Sequence, residues 1–187
     1  MPTTGMNKYK SMNSSKLLSI VLLSLLSCNL SAQKIEIAIW GSQGLGYQMH
    51  DNNIYEPGFS GAGIRIGRIQ SIANSPISIN NGIEYSFQGW GSQILFNNGI
   101  QYQFWVHGPF TISGSAYFLN GFALFRENTL YAGSIEIGPD VEYKIGERIA
   151  FQLSSGIKYT ACPGYKKYGP IWSYTDVPIR LGLKLRL

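Results

Sequence analysis

The sequence is poor in the residues that build most catalytic and metal sites. Its 187 residues include only two cysteines and two histidines. Two cysteines cannot form a disulfide framework, and no cysteine–histidine spacing of a zinc site occurs. The chain also lacks a nucleophile elbow of the G-x-S-x-G type and a phosphate-binding glycine loop. These absences predict that the protein is not an enzyme and carries no cofactor or metal.

Long apolar runs are absent as well. The most apolar run, Leu17–Leu26, is shorter than the roughly 20 residues that a membrane-spanning helix needs. A polar stretch with Lys8 and Lys10 precedes it, and small residues ending at Ala32 follow it. A basic region, a short apolar region and a small-residue exit are typical of a secretory signal peptide. We therefore predict a signal peptide over residues 1–32, cleaved after Ala32, and one domain over residues 33–187.

Two other interpretations of this segment stay open. A short apolar run also occurs in buried helices of globular proteins. The stretch Leu25–Cys28 resembles a bacterial lipobox, and lipidation would then make Cys28 the amino terminus of the exported protein. Removal of the segment by cleavage after Ala32 would instead leave Cys162 as a lone thiol.

Acidic residues are missing from the amino-terminal region, where the first is Glu36. The formal charge of +5 counts 15 Lys and Arg against 10 Asp and Glu, and loss of residues 1–32 removes three lysines. The 12 basic residues that remain exceed the 10 acidic ones by only two. No basic patch with interleaved aromatic residues is present, so the sequence predicts no nucleic-acid partner.

The feature that organises the chain is an alternation of period two, clearest from Leu130 to Ala161. One parity is apolar with tyrosines near the ends, and the other is polar, small or charged. A tight break at Gly146–Arg148 divides the stretch. Successive side chains of a strand point to opposite faces, whereas a helix repeats every 3.6 residues. The stretch therefore predicts a β-hairpin with one apolar and one polar face.

The same alternation predicts eight strands in the exported chain. They lie near residues 35–40, 64–69, 77–88, 94–106, 110–118, 131–145, 149–161 and 177–187. One side of the predicted sheet receives the connections 71–76, 107–109 and 146–148, and the other receives 42–60, 89–92, 120–129 and 162–175. The alternation slips at Arg68–Ile69. A near-repeat, Asn80–Phe87 and Asn97–Phe104, is interpreted as likeness between two strands and not as a solenoid repeat.

Two architectures produce such strands. In a soluble antiparallel sheet the apolar face points into a core, and in a transmembrane barrel it meets lipid. Most of the runs are about 10–13 residues long, against the 9–11 that cross a bilayer while tilted. Strand length, the even strand number, the export signal and the short turns on one side favour the transmembrane barrel. A soluble periplasmic ligand-binding barrel, with its apolar parity inside, is the alternative.

In these features the chain resembles the small OmpA/OmpX-like eight-stranded outer-membrane barrels of Gram-negative bacteria, over roughly residues 34–187. The resemblance implies an all-β, closed, up-and-down antiparallel transmembrane barrel in the cell outer membrane. It also implies contact with outer-membrane lipid, including lipopolysaccharide, and folding by the barrel-assembly machinery, with Val177 to Leu187 as the assembly signal. We expect a monomer.

The polar parity of such a barrel would place charged side chains in the lumen. An interior of eight strands is just filled by side chains, so a plugged lumen with an ion-pair network is expected, and a narrow conductance is the alternative. The predicted lumen residues are Glu36, Arg65, Glu84, Glu136, Asp140, Glu142, Lys144, Lys158, Arg180, Lys184 and Arg186.

The two longest predicted loops are the candidates for surface contact. Their aromatic and basic side chains suit lipopolysaccharide phosphates or a protein, and an interfacial aromatic girdle is the alternative. The candidates are Tyr47, His50, Tyr55, Tyr165, Lys166, Lys167, Tyr168, Trp172 and Tyr174. The expected function is a structural or adhesion-type surface role. A lipid-modifying outer-membrane enzyme is the alternative, because a palmitoyltransferase-type barrel keeps polar catalytic residues in the loop where His50 and Asp51 fall.

Overall fold

The computed structural model describes residues 34–49, 54–55, 60–72, 74–88, 91–125, 128–163 and 171–186. These residues belong to one compact unit, Ala32–Leu187. The predicted signal peptide and Cys28 lie outside the described residues. Within the described residues, no helix is long and apolar enough to cross a membrane.

The described residues form ten strands. They are β1 (Lys34–Met49), β2 (Ile54–Tyr55), β3 (Ser60–Ser71), β4 (Ile77–Gln88), β5 (Gly91–His107), β6 (Phe110–Phe125), β7 (Asn128–Lys144), β8 (Ile149–Ser155), β9 (Ile157–Ala161) and β10 (Ile171–Arg186). All pairings are antiparallel, and strands pair with their neighbours in chain order except that the short β2 pairs with β1 alone and that β8 and β9 do not pair with each other.

The sheet closes on itself through its first and last strands. β1 pairs with β3 on one side and with β10 on the other. The closing ladder runs from Lys34 opposite Arg186 to Met49 opposite Ile171. Because each strand except β2 has neighbours on both sides, the hydrogen bonds form a ring. The prediction of an all-β, antiparallel, up-and-down architecture is confirmed.

The predicted eight strands correspond to β1, β3 to β7, the pair β8 and β9, and β10. β8 and β9 are two parts of one strand, interrupted at Gly156, and both pair with β7 and β10. The two-residue β2 was not predicted.

Three predicted connections are wrong in length, because pairing continues where the alternation weakens. The loop predicted over 42–60 begins only after β1 ends at Met49. The connection predicted over 120–129 is mostly strand, since β6 runs to Phe125 and β7 begins at Asn128. The loop predicted over 162–175 ends where β10 begins at Ile171, so Trp172 and Tyr174 lie in a strand.

The two faces of the ring have opposite chemistry. Inward side chains are mostly polar or charged and buried. Large apolar side chains point outward and are exposed on every long strand, for example Ile39, Ile66, Phe87, Ile100, Phe118, Ile137, Leu153 and Leu181. The apolar-inside alternative is therefore wrong. β3 keeps its register through Arg68 and Ile69, so no slip occurs there, and Ile69 is an apolar residue that points inward.

One strand does change phase. The β5–β6 register shifts between Gln103 and Trp105. Phe104, Trp105 and Val106 are consequently all exposed. This β-bulge lies at the end of the barrel that also carries the tight turns and the strand ends Lys34 and Arg186, which we call the turn end.

Candidate functional site in the lumen

A layer of ion pairs crosses the middle of the lumen. We call it the central ion layer, formed by Arg65, Glu84, Glu136, Lys158 and Arg180. All five side chains are at most 3% exposed. They come from β3, β4, β7, β9 and β10, and cross-strand register places Arg65 opposite Glu84 and Glu136 opposite Lys158.

The contacts within the central ion layer are close and directional. Arg65 donates from Nε and Nη2 to Glu84 Oε2 at 3.0 and 2.6 Å, and from Nη2 to Glu136 Oε2 at 3.1 Å. Arg180 donates both Nη atoms to the two oxygens of Glu136 at 2.5 and 2.6 Å. Lys158 Nζ donates to Glu84 Oε1 at 2.5 Å. Each carboxylate thus accepts hydrogen bonds from two cations, and Arg180 Nη2 also lies 3.7 Å from Glu84 Oε2. This geometry offsets the desolvation cost of burial.

Two aromatic rings flank this layer. The Arg65 guanidinium lies 4.5 Å from the centre of the Tyr117 ring, and Lys158 Nζ lies 5.2 Å from that of Trp40. Both rings occupy space left by glycine. A Cβ on Gly63 would lie 2.6 Å from the Trp40 ring, and one on Gly99 would collide with the Tyr117 ring. Small residues on the lumen parity therefore allow large ones beside them.

A second group of charges lies at the turn end. We call it the mouth cluster, formed by Lys34, Glu142 and Lys184. Glu142 accepts hydrogen bonds from Lys34 Nζ at 3.0 Å and from Lys184 Nζ at 3.1 Å. The cluster lines a cavity of about 570 Å³ that opens to solvent.

Two residues predicted for the lumen are exposed at this mouth. Lys144 and Arg186 are exposed, because each is the last residue of its strand and extends beyond the enclosed part of the lumen. Both line the mouth cavity together with Arg148.

Two predicted lumen acids have no ion pair within the described residues. Glu36 and Asp140 are buried at 3% and 2% exposure. Asp140 Oδ1 accepts a hydrogen bond from Gln152 Nε2 at 2.7 Å instead. Within the described part of the chain, no group of His, Cys, Asp and Glu residues is arranged to hold a metal ion.

Beyond the central ion layer, the lumen is partly apolar. An inward cluster joins Leu95, Tyr117, Leu119, Ala123, Ala132 and Cys162. We call it the apolar cluster. A polar pair lies beside it, where Tyr174 Oη donates to Gln93 Oε1 at 3.0 Å. Tyr174 is 3% exposed, so its assignment to an outer contact surface is wrong: β10 extends to Ile171 and points this side chain inward.

The structure describes no side-chain position for the other surface candidates. Tyr47, Tyr55 and Trp172 lie in described strands at the end opposite the turn end. His50, Asp51, Tyr165, Lys166, Lys167 and Tyr168 lie outside the described residues. Their role in surface contact stays a prediction.

Sequence reasoning missed the residues that complete the lumen. Trp40 and Tyr117 fall on the polar parity, and an aromatic residue there is itself a signal of a packed lumen. Lys34 was missed because it precedes the first alternating residue. Asp176, buried in register with Lys158, was missed because it was assigned to the edge of a loop.

No protein-family model matches the sequence, and no curated protein matches it significantly. The all-β, antiparallel, up-and-down fold is similar to that of a solved outer-membrane barrel. Neisserial surface protein A is similar with a TM-score of 0.55 and 10% identity, over 82% of this chain and 96% of that chain. The identity is low, so the likeness shows the fold alone.

Two further barrels are similar at lower scores. The N-terminal β-barrel domain of Pseudomonas aeruginosa OprF has a TM-score of 0.45 and 13% identity, over 82% of this chain and 98% of that chain. A major outer membrane protein from Thermus thermophilus has a TM-score of 0.46 and 10% identity, over 82% and 99%.

Proposed function

We propose that this chain is an integral outer-membrane β-barrel with a structural or surface-interaction role and no enzymatic activity. The observation that carries the proposal is the inverted distribution of polarity. Charged side chains such as Arg65 and Glu84 are buried inside, whereas Ile39 and Ile137 are 62% exposed outside. An exterior of this kind is stable in lipid and would aggregate in water.

We further propose that the lumen is plugged. The central ion layer joins β3, β4, β7, β9 and β10 across the interior, and the apolar cluster fills the space beyond it. The side chains of the central ion layer and the apolar cluster are buried, so a passing ion would have to break several of their contacts. This favours a plugged lumen over a hydrated pore.

The surface role would belong to the end opposite the turn end. Described connections at the turn end are short, including Gly108–Pro109 between β5 and β6. β1 ends and β10 begins at the opposite end, next to the sequence stretches 50–59 and 162–170. Their tyrosines and lysines suit contact with lipopolysaccharide phosphates or a protein.

The first test is fractionation combined with heat-modifiability. The protein should sediment with the washed outer-membrane fraction and migrate differently in SDS before and after boiling, because a closed barrel resists SDS until heated. Recovery in the soluble periplasmic extract, with no shift on boiling, would contradict the proposal. Absence of single-channel current in planar bilayers is expected for a plugged lumen, and stable openings would contradict that part alone.

A further inference from the structure

The near-repeat of Asn80–Phe87 and Asn97–Phe104 lies on two strands, and packing explains only its inward-facing residues. Its two copies of Asn-Asn-Gly lie on β4 and β5 and pair with each other, so that Asn80 lies opposite Gly99 and Gly82 opposite Asn97. Asn80 is buried in the lumen and donates to Tyr117 Oη at 2.9 Å. The inward half of the repeat therefore serves packing of the lumen.

The outward half of the repeat consists of two amides. Asn81 and Asn98 lie directly opposite one another across β4 and β5, and both are exposed on the outside. Neither side chain has a hydrogen-bond partner within the described residues. Each asparagine has two donors and an acceptor, so the pair presents unused hydrogen-bonding groups on the lipid-facing surface.

Asn98 lies inside the apolar belt and not at its edge, whereas Asn81 lies between Asn98 on β5 and Arg68 on β3. Along β5, Asn98 stands between Phe96 and Ile100, and Ile100 is 58% exposed. Across the sheet, Asn98 is in register with Phe118, which is in register with Ile135, and these two are 52% and 55% exposed. A polar group at such a position has no water to bind and loses free energy unless a protein supplies a partner.

A recess of about 560 Å³ lies beside the two amides. Ala116 contributes a small exposed side chain there, and the larger side chains around it are Ile79, Ile100, Phe118, Ile135 and Ile137. Small residues among large ones let a second protein surface approach closely in a membrane. The recess and the amides thus form one contiguous patch on β4 to β7.

We propose that this patch is the contact surface of a homodimer in the membrane, with Asn81 and Asn98 hydrogen-bonding to the same residues of a second copy. The inference rests on the proposed membrane location. An acyl chain supplies no donor or acceptor at this depth, so lipid leaves the amides unpaired. An amide is both donor and acceptor, so across a two-fold axis it can pair with its own copy. The sequence analysis expected a monomer, and the two outward amides are the reason for proposing a dimer instead.

The test is the association state of the folded, full exported chain in density-matched detergent, measured by sedimentation equilibrium. The wild-type chain should show a monomer–dimer equilibrium. The double variant Asn81→Leu/Asn98→Leu should weaken association by about tenfold or more, the loss expected for one or two hydrogen bonds in a membrane. Ala116→Phe should weaken it as well, by filling the recess while keeping both amides.

Two matched variants control for nonspecific effects. Gln43→Leu removes an outward, exposed amide from β1, and Leu181→Phe adds an outward ring to β10. Both should associate as the wild type does, and all variants should keep the heat-modifiable folded form. A wild type that stays monomeric at every ratio of protein to detergent would overturn the dimer, as would an asparagine double variant that associates normally. A chain absent from the membrane fraction would instead overturn the proposed function itself.

Discussion

The central ion layer and the mouth cluster use the same chemistry in different surroundings. In the central ion layer, Glu136 and its partners are at most 3% exposed. In the mouth cluster, Lys34 is 24% exposed and borders an open cavity, although Glu142 and Lys184 are only 7% and 2% exposed. Water can therefore replace a lost partner at the mouth but not in the middle of the lumen.

The difference shows that the number of ion pairs in a lumen is a poor measure of their contribution to the free energy of unfolding. An exposed pair contributes about 0–1 kcal/mol, because solvent screens both charges. Removing one partner from a buried pair costs about 3–5 kcal/mol, because the other charge is left without water or a counter-charge. Burial and coordination should thus decide how each variant behaves.

The largest effect is expected for Glu136→Gln. This change removes the carboxylate that Arg180 contacts through both Nη atoms and that Arg65 also contacts. The free energy of unfolding should fall by about 3–5 kcal/mol, measured by urea unfolding in lipid vesicles with tryptophan fluorescence. A loss no larger than that of Glu142→Gln, which is the same chemical change at the mouth, would show that burial does not separate the two groups.

A smaller effect is expected for Leu119→Ala in the apolar cluster. Leu119 is fully buried beside Leu95 and Ala132, so truncation should leave a cavity. The same unfolding measurement should give a loss of about 2–4 kcal/mol. Leu153→Ala on the outside provides the control, since Leu153 is 50% exposed and lipid can fill the space. Equal losses for the two variants would mean that the cluster is not packed as described.

Glu142→Gln itself should cost less than Glu136→Gln, because Lys34 is 24% exposed and can gain water from the open cavity when it loses its partner. Salt distinguishes the mouth from the middle of the lumen, because screening acts on exposed charges and little on buried ones. The cost of Glu142→Gln should therefore shrink at high salt, whereas that of Glu136→Gln should stay the same. A salt-dependent cost for Glu136→Gln would indicate that solvent reaches the central ion layer.

The sequence predicts which side chains point into the lumen, because polar and apolar residues alternate along each strand. The parity of Glu84, Lys158 and Arg180 predicts that they point into the lumen once the apolar parity is assigned to lipid. Their grouping in one layer could not be predicted, since it depends on cross-strand register. A register shift of a single residue would place each of these side chains on the other face.

The predicted strand ends are wrong where the alternation is weak but backbone pairing continues. Asn120 and Gly121 suggested a connection, yet they pair with Gly133 and Ala132, and the close approach of Gly121 to Ile94 leaves no room for a side chain. Tyr174 suggested an exposed loop because glycine and proline precede it in the sequence. Hydrogen bonds along the neighbouring strand extended β10 instead, and this extension buried Tyr174.

The smallest expected effect concerns the thiol opposite the mouth. Cys162 is 3% exposed within the apolar cluster, so the folded protein should react with a maleimide only slowly, and boiling in SDS should make the thiol fully reactive. Arg148→Cys in a Cys162→Ala background places a thiol in the open mouth cavity and should react at once in the folded protein. Both substitutions should leave unfolding nearly unchanged. Fast labelling of Cys162 before heating would contradict its burial in the apolar cluster.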